Sequence, residues 1–364
     1  MKHQHIVIVG AGLAGLVAAQ QLARTGLRVT LLEARARAGG RILSEPVAGQ
    51  QHRADLGPGW YWPELNPRLA ELVRQFDLAD YPQWAQGASL REGADGTRHT
   101  IRQSWIQQPE SMRLVGGMGA LVQALLARLD AVELHLETVV QSVALTPDAV
   151  TLQVIRAGQP QQLTADLVIS TLPPRLLAGL QANPPWPAHE QQRWLATPTW
   201  MAGNAKFVAA YDQPFWRDAG LSGDAGSQRG PLVEIHDASD AAGQVALLFG
   251  FIGVPAPMRQ QMGEAELHRL ALKQLARLFG PQALAPRWTT LKDWAQDPYT
   301  AQQQDQQPLY QHPLYTPMPL PQPWAGRLVL AGTEFAPEFG GYLEGALASA
   351  HAAVAQVQDV MKEY

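Results

Sequence analysis

Residues 5–33 read HIVIVGAGLAGLVAAQQLARTGLRVTLLE, and their order decides the first half of the fold. The β-branched run from His5 to Val9 predicts a strand. Gly10, Gly12 and Gly15 follow as a tight turn, and a helix-favouring stretch runs from there to Arg24. Gly26 can end that helix, and Leu27 to Leu32 predicts a second strand closing on Glu33. Each glycine answers a separate demand: a sharp turn at Gly10, close approach of backbone to a pyrophosphate at Gly12, helix-on-sheet packing at Gly15. The first helical turn, which contains Leu13 and Ala14, presents free N–H groups to phosphates. Glu33 ends the second strand, where its carboxylate can accept from an adenosine ribose. Strand, glycine turn, helix, strand and acid together predict a dinucleotide site in an α/β fold.

The next residues decide which dinucleotide. Ala34 and Arg35 lead to Gly39, Gly40 and Arg41, and Asp55-Leu56-Gly57-Pro58-Gly59-Trp60 comes shortly after. An NAD domain has no need of a second glycine pair directly behind the acidic strand. FAD is longer and lies buried along its length, so more chain must run beside it. Gly40 permits close approach there, and Arg41 can offset phosphate charge. The expected cofactor is therefore FAD.

Composition narrows the rest. At 364 residues the chain is long enough for two ordinary domains. A net charge of −4 with scattered Arg and Lys gives no basic stripe, so no nucleic-acid partner is expected. Cysteine is absent, which excludes disulfides, thiolate metal sites and a thioether-linked cofactor. Binding of FAD should thus be non-covalent. The ten histidines show no ligand spacing with acidic neighbours, so no catalytic metal is expected, and His236, His268 and His351 read as ordinary surface or packed residues. No apolar run approaches the roughly 20 residues of a membrane span, and the expected location is cytoplasmic. Tryptophan is frequent, with Trp60, Trp62, Trp84, Trp105, Trp186, Trp294 and Trp324 in proline-rich or irregular stretches. Such residues either fill core between loops or line a pocket.

Further along, Pro63 to Asp77 predicts one short amphipathic helix, and Asp80 to Pro109 reads as irregular. A helix is expected over Ala120–Leu129, then strands over 134–136, 139–145, 150–155 and 167–171, the last stopped by Pro173 and Pro174. Strands at 204–211, 232–236 and 245–252 precede an amphipathic helix over 264–278. A strand at 328–331 and an alanine-rich helix over 343–361 close the chain, so C-terminal residues should complete the N-terminal sheet. The expected architecture is a Rossmann-like FAD-binding domain (1–60, 112–182 and 325–364) interleaved with a smaller α+β substrate domain (61–111 and 183–324).

Taken together, five segments resemble the flavin-containing amine oxidases, the group of monoamine, polyamine and L-amino acid oxidases. They are IVIVGAGLAGLVAA with LLEARARAGGR, then ADLGPGW, RLVGGMGALVQALL, AKFVAAYDQPFW, and LVLAGTEFAPEFGGYLEGALASA, in the family's order. The resemblance implies that Gly10, Gly12, Gly15, Glu33, Arg35, Gly40 and Arg41 surround the adenosine and pyrophosphate. It implies that Val140 meets the adenine through its backbone and that Glu334, after Gly332, lies near the pyrophosphate and ribityl chain. Leu343, after Gly341, would open a helix aimed at the flavin. Lys206 resembles the lysine that holds a water near the flavin, and Tyr342 resembles one wall of an aromatic substrate cage. Edge-strand placement is the other reading of Lys206, a lone cation in AKFVAAY.

Two departures stand out. The loop DWAQDPYTAQQQD offers Gln303 where monoamine oxidases carry a flavin-linking cysteine, and Gln304 at the second cage position. Trp294 and Tyr299 are candidates to replace that ring. The stretch between ADLGPGW and RLVGG is also far shorter than in the larger oxidases, where a helical insertion roofs the cavity. The implied activity is oxidation of a small amine by hydride transfer to flavin, with oxygen or another acceptor taking the electrons. A desaturase or oxidase acting on carbon–carbon bonds, which shares the FAD architecture, stays open, as does a redox role with a protein partner that closes the site.

Overall fold

The computed structural model describes residues 4–49, 52–102, 109–307, 309 and 311–362. The reading of Trp105 lies outside the described residues.

The N-terminal unit folds as its glycines require. His5–Val9 is a strand, Leu13–Ala23 a helix and Arg28–Leu32 the next strand, parallel to the first. The Leu13–Ala23 helix is buried on most of its surface, so it lies inside the domain rather than along its rim. Val132–His135 extends the sheet on one side; Leu167–Ser170 and then Leu328–Leu330 extend it on the other, all in parallel register. The last of these comes from near the C-terminus, with Val168 opposite Leu328. The helix that follows, Leu343–Lys362, packs back on Leu13–Ala23, and a core of Leu16, Val17, Leu121, Leu347 and Val354 fills the space between them.

The other face of this sheet meets a four-stranded sheet built on Thr138–Leu145. Trp186, Trp194 and Trp324 close that layer, with ring centroids 4.7 and 5.3 Å apart. A seven-stranded sheet forms the second half of the molecule, ordered Trp288–Asp293, Ala205–Tyr211, Ala246–Ile252, Leu232–Asp237, Leu221–Ser227, Ala88–Glu92 and Arg98–Ile101. One face packs on the Glu264–Phe279 helix through Phe207, Ala209, Leu248 and Leu275. The opposite face carries Lys206, Val208, Phe249 and Phe251 toward the segment containing Ala54 and Leu56.

Several elements depart from the sequence reading. Part of the stretch expected to be irregular forms the hairpin of Ala88–Glu92 and Arg98–Ile101 at the sheet's edge. Gln159–Ala165 is a strand although nearly every residue is solvent-exposed, because it needs only one partner, Val150–Arg156. Pro173 and Pro174, read as stops, open the helix Pro174–Gly179, and Pro187 likewise immediately precedes Ala188–Ala196. Proline suits a helix's first turn because its missing N–H would be unpaired there anyway.

One carboxylate joins the Leu343–Lys362 helix to the Pro67–Gln75 helix. Glu344, almost fully buried, accepts from the backbone N–H groups of Arg68 (3.1 Å) and Leu69 (3.0 Å), which begin the Pro67–Gln75 helix. That helix has no side-chain cap of its own, so the acid serves both its open donors and its dipole. Glu344→Ala should therefore destabilise the fold by about 1–3 kcal/mol, the usual cost of leaving a buried donor unpaired. Urea unfolding of the two proteins measures this; an unchanged midpoint would show that water replaces the carboxylate at no cost.

Candidate active site

The glycine turns are tight at Gly15 and Gly40. A Cβ on Gly15 would stand 1.9 Å from the Gly10 carbonyl oxygen, and one on Gly40 would meet the Gly12 Cα at 3.1 Å. Gly12 and Gly39 are bridged as a short parallel pair, so the two glycine loops lie directly against one another. Arg37, unmarked in the sequence reading, holds the second loop by donating to the carbonyls of Ala38, Gly40 and Ile42.

These loops open on a cavity of about 900 Å3, within the range of ligand sites though at its upper end. All the expected site residues line it except Gly15, packed beneath the turn, and Glu334. On one wall, Glu33 accepts from the N–H groups of Ala11 (3.0 Å) and Arg35 (2.9 Å). The Glu33 carbonyl accepts from Thr138 N, which places Val140 and the start of the second sheet beside it. Leu13, Ala14 and Ala34 line the same side; Gly57, Pro58, Gly59 and Trp60 come from the returning segment, and Gly332, Gly341, Tyr342 and Leu343 from the C-terminal one.

The two arginines expected at the phosphates are each tied to an acid. Arg41 pairs with Glu334 at 2.7 Å, and this charge outweighs the burial that would otherwise lower the guanidinium's pKa. Arg35 joins Glu33 at 3.3 Å and Asp297 at 2.5 Å, under the ring of Tyr299. Burial would raise the Asp297 pKa, but Arg35 and Lys292 hold it below the usual carboxylate range. The loop 294–300 is thereby fastened to the acid that ends the second strand.

Lys206 does not lie on an edge strand. Its strand sits between Trp288–Asp293 and Ala246–Ile252, and every residue of it is buried. The ammonium Nζ donates to the carbonyls of Asp55 (3.0 Å) and Gly57 (2.8 Å) and rests 4.3 Å from the Phe249 ring centroid. Ammonium has three donors, so this leaves one for the cavity that Lys206 lines. Burial lowers the Lys206 pKa to about 7, with Asp55 raising it and Arg113 lowering it further. Asp55 is itself buried and its pKa is raised, although it accepts from Ser44 and from Met118 N.

Tyr342 lines the cavity, whereas Gln304 is exposed and is not among the residues that line it. Tyr299 lies on Arg35, and Trp294 donates to the Leu56 carbonyl at 2.9 Å, so neither flanks Tyr342. The aromatic neighbours here are Trp200, pressed on Gly341, and His312, stacked on Tyr342 with centroids 5.1 Å apart. Trp200 lines the cavity and was not marked by the sequence.

His236 is likewise more than an ordinary histidine. Its two ring nitrogens lie 2.8 Å from Asp224 and from Glu234, and its ring packs against Trp60. Burial would lower its pKa, but the two carboxylates outweigh that and raise it. The alternation Glu234-Ile-His236 on one strand was the available signal. Among the described residues no group of His, Cys, Asp and Glu is arranged to hold a metal ion, and no helix is long and apolar enough to cross a membrane.

Comparison with known proteins decides the family. The model for flavin containing amine oxidoreductases matches residues 87–358, and that for an NAD(P)-binding Rossmann-like domain matches residues 8–76. The chain belongs to the flavin-containing amine oxidoreductase family. It is 27% identical to a Mycobacterium tuberculosis protein named as a candidate flavin-containing monoamine oxidase, covering 97% of this chain and 96% of that one. It is 24% identical to putrescine oxidase of Kocuria rosea, covering 97% and 94%. Cyclohexylamine oxidase of Brevibacterium oxydans has the same fold, with a TM-score of 0.81 at 19% identity over 99% and 100% of the chains. The enzyme is thus an oxidoreductase that uses a flavin to oxidise amines, and its two halves are the Rossmann-like domain and a mixed α/β substrate domain. The Mycobacterium alignment spans 450 positions, more than the 364 residues here, so part of it has no counterpart in this chain.

The glycine cradle fits a dinucleotide on sterics alone, and Glu33 keeps acceptor capacity beyond its two backbone bonds. Glu33→Gln keeps the size but removes the charge. Charge-assisted hydrogen bonds contribute roughly 1.5–3 kcal/mol, so flavin affinity should fall about ten-fold or more. Titration of apoprotein with the cofactor checks this, and unchanged affinity would mean that the carboxylate does not face it.

Proposed function

We propose that this enzyme binds FAD without a covalent bond and oxidises a small amine at the carbon beside nitrogen, with molecular oxygen as electron acceptor and hydrogen peroxide as product. The observation that carries this reading is the position of Lys206, whose ammonium lines the same cavity as the glycine cradle and retains one donor toward it. Bound in the cradle, FAD supplies the hydride acceptor. The open N–H groups of the first helical turn after Gly12 would hold the pyrophosphate, and Glu33 would hold the ribose. The Leu343–Lys362 helix turns its N-terminus to the cavity and favours negative charge there. Tyr342 and Trp200 present aromatic surface to the substrate. Lys206 orders a water through its remaining donor and stabilises negative charge as oxygen is reduced. Putrescine oxidase and cyclohexylamine oxidase, among its relatives, act on the aliphatic amines in their names, which supports an amine of that kind.

Oxygen consumption and peroxide release across a panel of aliphatic amines test the reading. Turnover with at least one of them is expected; failure of every amine to bleach the bound flavin would contradict it and favour a carbon–carbon substrate.

Lys206→Met tests the lysine separately. Loss of about 2–3 kcal/mol of electrostatic stabilisation corresponds to a thirty- to hundred-fold slower reaction with oxygen. Lys206 also holds the Asp55 and Gly57 carbonyls, so the two proteins are compared with cofactor bound to saturation. Because burial lowers the Lys206 pKa to about 7, the cation is present below that pH and lost above it. The wild-type oxygen rate constant should therefore fall as pH rises through about 7, while that of Lys206→Met stays flat. Stopped-flow mixing of the reduced holoenzyme with oxygen measures both; equal rate constants would remove the ammonium from the oxygen reaction.

A further inference from the structure

The register of the seven-stranded sheet places four residues in one row across it. Lys292 stands opposite Lys206, Lys206 opposite Phe251, and Phe251 opposite Glu234. Side chains directly opposite on neighbouring strands share a face, and the contacts agree: the Lys206 ammonium lies near the rings of Phe249 and Phe251, and Phe249 packs on His236, two residues beyond Glu234. Lys206, Phe251 and Glu234 all line the one cavity. Two interstrand spacings separate Lys206 from Glu234, roughly 9–10 Å. The cavity wall therefore runs from a buried amine, across an aromatic ring, to a carboxylate.

Glu234 differs in kind from the other acid on the cavity wall. Glu33 is buried and bonded to backbone amides and Arg35, whereas the Glu234 side chain is 57% exposed. Its recorded partner is His236, at 2.8 Å, and that bond first, with burial opposing, holds the Glu234 carboxyl below its ordinary pKa range. The groups around it are known. His236 lies between Glu234 and Asp224 and carries a raised pKa, and Arg91 on the Ala88–Glu92 strand acts on Glu234 at longer range. Glu234 and Asp224 thus face His236 from its two ring nitrogens, with Glu234 on the cavity wall. His236 packs edge-on to Trp60, itself a cavity residue, so the ring that orients Glu234 is fixed from behind.

We propose that Glu234 is a specificity residue of the substrate cavity and recognises a second cationic group on the amine, so that the preferred substrates are dications with an ammonium or guanidinium at the end remote from the oxidised carbon. The inference rests on the amine reading above. One amine lies toward Lys206 and Tyr342, the aliphatic linker crosses Phe251 and Trp60, and the distal cation meets the Glu234 carboxylate. His236 is a positioning residue in this arrangement: it spends one carboxylate oxygen and leaves the other to the ligand.

The test uses FAD-loaded enzyme with α,ω-diaminoalkanes and n-alkyl monoamines of matched chain length. Wild type should show kcat/KM at least ten-fold higher for the best diamine than for the monoamine of the same length. Glu234→Gln retains an oxygen to accept from His236 but removes the charge. It should raise KM for the diamine about ten-fold or more with kcat nearly constant, and leave monoamine kinetics within about two-fold. Monoamine oxidation with no diamine preference in wild type would overturn the inference while leaving the amine reading intact. Equal losses for both series in the variant would overturn it too, because a general field or a structural role would then explain Glu234. If neither series reduces the bound flavin, both readings fall together.

Discussion

A buried ammonium must be answered by nearby acceptors, and much of this molecule is arranged around how Lys206 is answered. Taking such a charge out of water costs several kcal/mol unless hydrogen bonds replace its hydration. The replacements are the carbonyls of Asp55 and Gly57, which belong to the chain that returns from the glycine turns. A side chain on the seven-stranded sheet thus grips the backbone of the segment that completes the cofactor cradle. Gly57 can lie where it does only because it has no Cβ, which would otherwise stand 2.0 Å from the Arg41 carbonyl oxygen. The sheet that brings Lys206 and Phe251 to the cavity and the loops around the glycine turns are consequently held together.

The same principle organises the remaining charges. Arg35 links the acid that ends the second strand to Asp297, and Lys292 secures Asp297 from the sheet. Arg41 is matched by Glu334. These cations are held in place by acids, so their charge is directed and largely compensated. Lys206 is held instead by neutral carbonyls and has a lowered pKa, with Arg113 and Asp55 acting on it from opposite sides. Its protonation therefore responds to conditions near neutrality, which suits a group that assists chemistry better than one that only braces the fold.

Much of this could be read from sequence where the backbone itself set the requirement. Gly10 and Gly40 are legible because a side chain would be strained or crowded at each, and Leu343 is legible because a strand and a glycine turn precede its helix. The strand Leu328–Leu330 could be assigned to the first sheet since a short buried run followed by a glycine turn repeats the pattern at the N-terminus. What escaped depended on partners distant in the chain. LSGDAGS carries little strand propensity, yet Leu221–Ser227 is a strand between two others. Glu344 looks like an ordinary first-turn acid until the Pro67–Gln75 helix is seen to begin on it. Trp200 and His312 flank Tyr342 from segments no local pattern connects, and His236 shows its role only once Asp224 arrives from the neighbouring strand. The expectation that Gln304 stands at the cage came from the family's loop; here Gln304 is exposed and does not line the cavity.

The central claim is that one cavity brings the dinucleotide cradle, Lys206 and Tyr342 to a single reactive volume. A crystal structure of the holoenzyme with FAD tests it most directly, read for the side chains in front of the flavin ring. The account predicts the ribose on Glu33, the pyrophosphate between the Gly10–Gly15 and Gly39–Arg41 turns, and the flavin ring with Lys206 Nζ within reach through one water and Tyr342 before its open face. A flavin ring displaced so that neither Lys206 nor Tyr342 can touch it or a water bound to it would contradict the account.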